Sequence, residues 1–157
     1  MDEANPQVER VLVRMLRPSD LDAVIALDAK NAGRRREEFF RLKLEQNLAE
    51  TGVKVSLAAE LDGCFCGFLL ARVYYGEFGS LEPVSVLDTL DVHPDFQGQG
   101  VGGALMRQLL QNLRGLGVTS LQTEVRWDAA ELLSFFRHEG FELAQRLCLD
   151  LDLSPAG

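Results

Sequence analysis

The sequence predicts an α/β fold with a mixed central sheet flanked by helices, and three observations point to it. Strand-like runs follow one another through the first half of the chain without a helix between each pair. Only one strand–helix–strand crossover is readable, late in the sequence. At its turn lies Gln97-Gly98-Gln99-Gly100-Val101-Gly102-Gly103, between an aliphatic run and an amphipathic one. A wholly parallel sheet would need a crossover before every strand, so this order gives a sheet of both strand directions.

The elements follow in chain order. Residues 11–16 alternate as a first strand, ended by Arg17-Pro18. Ser19, with Asp22 three residues on, has the spacing of a capping box and opens a helix through Leu21, Val24, Ile25 and Leu27. Asn31-Ala32-Gly33 stops it. Residues 34–50 form a second helix with Phe39, Leu42, Leu44 and Leu48 as its apolar face, and Glu37 and Glu38 pair with the Arg34-Arg35-Arg36 triplet. Two strands, 54–61 and 64–75, meet at the tight turn Asp62-Gly63. Residues 76–82 are loop and 83–92 a fourth strand. Ala104, Leu105, Leu109, Leu113 and Leu116 then recur at helical spacing, and Gly115 and Gly117 end that helix. Residues 118–127 make a fifth strand. Asp128 and Glu131 cap a short helix to about Glu139-Gly140, and residues 141–153 supply one or two closing strands. One domain spans residues 1–157, with 1–8 and 154–157 as tails.

Composition narrows the function classes. A chain of 157 residues, 46% hydrophobic and 25% charged, is ordinary for a globular domain. No apolar run approaches the ~20 residues of a membrane helix, so no membrane partner is expected. The acidic start Met1-Asp2-Glu3 is not a signal peptide. Three cysteines without a matching Cys/His set indicate neither a metal site nor a disulfide framework, which suits a cytoplasmic protein. The net charge is −8. Residues 1–50 carry nine basic and ten acidic side chains, and residues 51–157 carry seven and fourteen. Such a field disfavours nucleic acid and favours a cationic partner such as an amine.

The glycine segment carries the functional argument. A helix N-terminus leaves its first N–H groups without partners and bears a partial positive charge. Glycines let the backbone close on a pyrophosphate, so an acidic protein can hold a polyanion without cationic side chains. Gly98-Gln99-Gly100-Val101-Gly102-Gly103 also fits the dinucleotide pattern G-x-G-x-x-G with Glu124 downstream. Against that pattern, His93-Pro94-Asp95-Phe96-Gln97 separates strand from loop, and too little chain follows for a doubly wound sheet.

The run Leu90-Asp91-Val92-His93-Pro94-Asp95-Phe96-Gln97-Gly98-Gln99-Gly100-Val101-Gly102-Gly103-Ala104-Leu105 resembles the GCN5-related N-acetyltransferase (GNAT) family, whose pattern is Q/R-x-x-G-x-G/A after a strand ending in Val-x-Pro. The resemblance extends to Gly140-Phe141. It implies the acyl-CoA N-acyltransferase fold, with fourth and fifth strands that splay apart. It also implies transfer of an acetyl group from acetyl-CoA to an amine of a small molecule or protein by direct attack, with no metal. By the resemblance, the backbone of Leu90, Asp91 and Val92 pairs with the pantetheine and acetyl carbonyl. The amides of Gln97, Gly98, Gln99, Gly100, Val101 and Gly102, with Gly103 behind them, take the pyrophosphate.

The transfer needs a neutral amine, so it needs a base. Glu124, in Thr123-Glu124-Val125-Arg126, is the first candidate and is similar to the glutamate of the ribosomal-protein alanine acetyltransferases. Asp88 is the second: it shares strand parity with Val84, Val86, Leu90 and Val92, and a carboxylate held in an apolar face has a raised pKa. The general acid is missing, because Phe136 stands where similar enzymes have tyrosine, and Ala129 where they often have asparagine. That leaves a non-catalytic acyl-CoA-binding regulatory module as the alternative function. A homodimer is left open. Tyr74, Tyr75, His93, His138, Cys66, Cys148 and Trp127 read as structural.

Overall fold

The computed structural model describes residues 10–49, 53–76 and 79–156. The predicted 1–8 tail lies outside these. Contacts divide the chain into two compact units, Met1–Glu124 and Val125–Gly157.

The first unit holds a five-stranded sheet in the order β1-β2-β3-β4-β5. Its strands are β1 (Val11–Met15), β2 (Leu57–Leu61), β3 (Cys64–Tyr74), β4 (Val84–Val92) and β5 (Ser120–Thr123). β1 to β4 run antiparallel to their neighbours, and β5 runs parallel to β4. The parallel step is bridged by α3 (Val101–Gly115). The mixed sheet is as predicted, and the Asp62-Gly63 turn takes positive φ at both residues (50° and 79°), the geometry that matches strand twist in a two-residue hairpin.

Helices α1 (Leu21–Ala32) and α2 (Glu37–Asn47) cover one face. There Val24, Ile25, Leu27, Phe40 and Leu44 pack on Ala58, Phe68 and Leu70. α3 lies against β3 through Gly67, where an added Cβ would sit 2.9 Å from Val101 Cγ1 and 3.2 Å from Leu105 Cδ1. Ala104, Leu105, Leu109 and Leu113 are buried as predicted, but Leu116 is exposed. The stop is Gly117 at φ 76°, with the Val118 amide reaching back to the Leu113 carbonyl at 2.9 Å.

Several expectations are corrected. The capping pair is Arg17/Asp20, not Ser19/Asp22. The Arg17 amide bonds the Asp20 carboxylate (2.8 Å), and the Asp20 amide bonds the Arg17 carbonyl (2.9 Å). Asp20 also receives both arms of the Arg14 guanidinium, which holds its carboxyl below the usual carboxylate range. α2 starts at Glu37, and its buried positions are Phe40, Leu44 and Asn47, while Phe39 and Leu42 face water. Arg35 pairs with Glu37, but Arg36 turns to the buried Asp28.

The second unit holds α4 (Ala130–His138), followed by residues 141–156 without secondary structure. Phe136 is buried between Phe135 and Phe141, ring centroids 5.4 and 4.9 Å away. Residues 141–153, predicted to supply closing strands, carry no secondary structure. Cys148, expected in a strand interior, and Trp127, expected as an anchor, are exposed. Among the described residues no helix is long and apolar enough to cross a membrane.

Candidate active site

The site begins with a register fault. β3 and β4 pair residue for residue from Gly67↔Val92 to Leu70↔Thr89, and then Ala71 pairs with Leu87. Asp88 has no partner across the ladder, which makes it the extra residue of a β-bulge and bends β4 there. On the other side, β4 pairs with β5 only from Val84↔Ser120 to Leu87↔Thr123. The Thr123 hydroxyl closes this pairing by donating to the Leu87 carbonyl at 2.8 Å. Beyond that point the two strands part, and the β5-facing edge of 88–92 is left open.

The polarity of that edge can be read from one bond. The His93 amide donates to the Cys66 carbonyl at 2.8 Å, so it faces β3. In an extended strand alternate residues turn their polar groups to opposite sides. Leu90 and Val92 therefore present N–H and C=O to the open edge, whereas the Asp91 backbone turns to β3. Of the three residues named from the resemblance, Leu90 and Val92 turn their backbone polar groups to this edge and Asp91 does not. The Val92 carbonyl meets Asn31 Nδ2 at 2.9 Å and Gln97 Nε2 at 3.3 Å.

Immediately after β4, His93 caps a short turn over Pro94–Phe96, its Nδ1 accepting the Asp95 amide at 3.1 Å. Gly98 and Gly100 then take the left-handed conformation, φ 76° and 84°, which side chains disfavour. Gly100 is the residue that opens α3, and its carbonyl accepts the first helical bond from Ala104 at 3.0 Å. The amides of Val101, Gly102 and Gly103 have no partner inside the helix. These free donors, beside an unpaired strand edge, fit a cofactor with a pyrophosphate at one end and an amide-bearing arm at the other. No Lys or Arg occurs between Arg72 and Arg107, so the loop supplies no cation of its own.

The two candidate bases flank the opening. The parallel register places Asp88 and Glu124 one residue past the last pair, Leu87↔Thr123. Glu124 lies beyond the end of β5 and is exposed. Asp88 is not held in an apolar face: the bulge turns it toward α2, where Lys43 Nζ bonds it at 2.8 Å and the Arg72 guanidinium lies 4.0 Å away.

The raised carboxyl is instead Asp91, which sequence reading assigned to backbone contacts alone. Burial and the neighbouring Asp28 carboxylate push it up to about 7, against the Asn31 amide at 3.2 Å. Burial also acts on Asp28, but the Arg36 fork, at 2.8 and 2.5 Å, outweighs it and keeps that carboxyl below its ordinary value. The pair thus holds one proton near neutral pH. The sequence shows an aspartate between Leu90 and Val92, but its partner lies on α1, out of reach of strand periodicity.

Residues 21–141 match the family model described as Acetyltransferase (GNAT) family. An aminoglycoside N(6')-acetyltransferase type 1 from Stenotrophomonas maltophilia is 32% identical over 107 residues, covering 67% of this chain and 70% of that protein. The solved structure of aminoglycoside N-acetyltransferase AAC(6')-Iy in complex with CoA superposes with a TM-score of 0.75 at 18% identity, over 92% of this chain and 95% of that one. The ribosomal-protein-S18-alanine N-acetyltransferase from Escherichia coli gives 0.70 at 25% identity, over 85% and 79%.

Proposed function

The chain belongs to the acetyltransferase (GNAT) family and is an acetyl-CoA-dependent N-acetyltransferase, and from that premise we propose which of its residues do the work. Acetyl-CoA supplies the acetyl group as an activated thioester. The free amides at the start of α3 bind its pyrophosphate, and the open edge at Leu90 and Val92 pairs with its pantetheine arm. An N–H on that edge stabilises negative charge developing on the carbonyl oxygen. Glu124, a carboxylate with no ion-pair partner among the described residues, takes the proton of the incoming amine. Asp88, already neutralised by Lys43, shapes the acceptor side. The departing thiolate takes its proton from solvent or from the ammonium product, since Phe136 has none to give.

We take the acceptor to be a small cationic amine of the amino-sugar kind, named for the Stenotrophomonas relative, rather than a protein. The acidic balance of residues 51–157 and the carboxylates at the opening support this. Its unpaired cysteines suit a reducing, cytoplasmic setting.

The parting of β4 from β5 beside a glycine-started helix carries the reading. Its test is calorimetric titration of acetyl-CoA into wild type and Gly100→Val, followed by thiol-release assays on amino sugars and on alanine-terminated peptides. Wild type should bind and turn over amino sugars, with little activity on peptides. Gly100→Val should stay folded and lose binding. Glu124→Gln should lower kcat by about 100-fold with acetyl-CoA affinity within about twofold of wild type. Retained binding in folded Gly100→Val would remove the cradle assignment, and unchanged turnover in Glu124→Gln would pass the base role to Asp88.

A further inference from the structure

A row of hydrogen bonds runs from the helical layer to the open edge of β4, and Asn31 is its last side chain. Asn31 lies one residue from the end of α1, and its Nδ2 donates to the Val92 carbonyl at 2.9 Å and to Asp91 Oδ1 at 3.2 Å. A carboxamide nitrogen has two hydrogens, so both are used and two acceptors fix its orientation. Behind Asn31 the row continues. Asp91 Oδ2 is buried and receives no N–H among the described residues. The one proton shared with Asp28 fills that gap, and Asp28 in turn takes both arms of the Arg36 guanidinium. The order is Arg36, Asp28, Asp91, Asn31 and the Val92 carbonyl, with the helices at one end and the strand edge at the other.

Two donors meet at the Val92 carbonyl, and they are not equivalent. Gln97 Nε2 reaches it at a longer 3.3 Å, from an exposed loop residue that makes no other side-chain bond among the described residues. Asn31 is anchored by its second bond. A carbonyl oxygen accepts two hydrogen bonds, so an incoming pantetheine amide can take the place of Gln97 while Asn31 stays. We propose that Asn31, held by Asp91, is a positioning residue for acetyl-CoA, fixing the direction of the Val92 peptide on the edge that pairs with the pantetheine arm. This role rests on that edge being the one the cofactor uses. A buried polar row whose members are all satisfied holds a single geometry. Here it holds a peptide group that has no strand on that side, and a direction set in advance lowers the cost of ordering the edge on binding.

The experiment is calorimetric titration of acetyl-CoA, joined to steady-state kinetics on an amino-sugar acceptor, for wild type, Asn31→Ala and Asp91→Asn. Alanine is the better helix former, so α1 should keep its fold. Asn31→Ala should weaken acetyl-CoA binding and raise its KM by about tenfold, with kcat within about twofold of wild type. Asp91→Asn keeps an oxygen for Asn31 and an N–H for Asp28, so near neutrality and below it should bind as wild type does.

The two part as pH rises. The charged groups facing Asp91 are Asp28 on α1 and Arg36 before α2, with Arg34 acting on Asp28, while Phe68 opposite on β3 carries no charge. Once Asp91 gives up its proton, at about 7, two carboxylates face each other and the row loosens. Between about pH 6 and about pH 9 wild type should therefore lose about fivefold in affinity relative to Asp91→Asn. Should Asn31→Ala not fold, this pH series decides alone. Equal affinity in wild type and folded Asn31→Ala overturns the proposal, and so does a ratio of wild type to Asp91→Asn that stays flat with pH. A wild type that binds no acetyl-CoA at all removes the cofactor edge itself, and the proposal with it.

Discussion

The upper half of β4, from Val84 to Leu87, has a strand on each side, whereas the lower half, from Asp88 to Val92, has a strand only on the β3 side. Both halves lie in one nine-residue strand. What separates them is a single unpaired residue, Asp88, and a neighbour that ends at Thr123. The upper half spends its backbone polar groups on the sheet, whereas in the lower half those of Leu90 and Val92 face no strand, and the Val92 carbonyl accepts from the Asn31 and Gln97 side chains instead. On the reading proposed above, hydrogen-bonding capacity at a sheet edge becomes a binding device by removing strand partners.

The largest effect should come from deleting Asp88. Its removal restores an unbroken β3–β4 ladder, with Leu87 following Thr89 in register, and straightens the strand. Acetyl-CoA binding should fall by more than about 100-fold while the melting temperature holds or rises. Calorimetry beside a thermal melt checks both, and full binding in the deletant would show that the bulge does not make the opening.

Gly67→Ala tests the other wall. Its Cβ would press on Val101 and Leu105 at the start of α3, so stability should drop by about 1–3 kcal/mol in a denaturant titration. Acetyl-CoA affinity should drop with it, because the helix that presents the free amides is displaced.

A third effect depends on pH. Asp91 binds its proton up to about pH 7 in the folded chain, against an ordinary carboxyl value of 3.8. The folded state therefore holds more protons than the unfolded one between those values. The stability linked to this group is complete below about pH 4 and is lost as pH rises through 7. Asp28 runs the other way: its lowered pKa gives stability above its ordinary value that is lost on acidification. Asp91→Asn removes the first dependence, so it should match wild type near pH 4 and exceed it at pH 8 by about 2 kcal/mol, allowing for partial exposure. Parallel melts at the two pH values measure this.

The smallest effect belongs to Thr123→Val, which deletes the hydroxyl that closes the upper half. A loss of about 1 kcal/mol is expected, with the opening extended by one residue and acetyl-CoA affinity nearly unchanged.

These regions also show what a sequence can disclose. The Asp62-Gly63 hairpin, the amphipathic α3 and the glycine loop before it are local, and each followed from residue type and spacing. The α2 face slipped because Phe39 and Phe40 are adjacent, and only the surface beneath decides which one is buried. The bulge was invisible because Val84, Val86, Asp88, Leu90 and Val92 keep perfect alternation, while the fault exists only relative to β3. The Asp28–Asp91 pair joins a helix to a strand, and such a distant pairing leaves no periodic trace. The alternation of 141–153 led to closing strands that the structure does not show, since a strand needs a partner that the pattern alone does not supply.

The glycine loop supplies no cation for a polyanion. Between Arg72 and Arg107 the chain places no permanent cation, so the grip on a polyanionic cofactor relies on backbone dipoles at contact distance. Ionic strength weakens attraction between separated charges much more than contacts of that kind. Added salt should therefore raise the KM of a cationic acceptor, drawn by the carboxylates at the opening, and leave the KM for acetyl-CoA almost where it was. Two substrates that meet at one opening would respond to the same solvent in different ways.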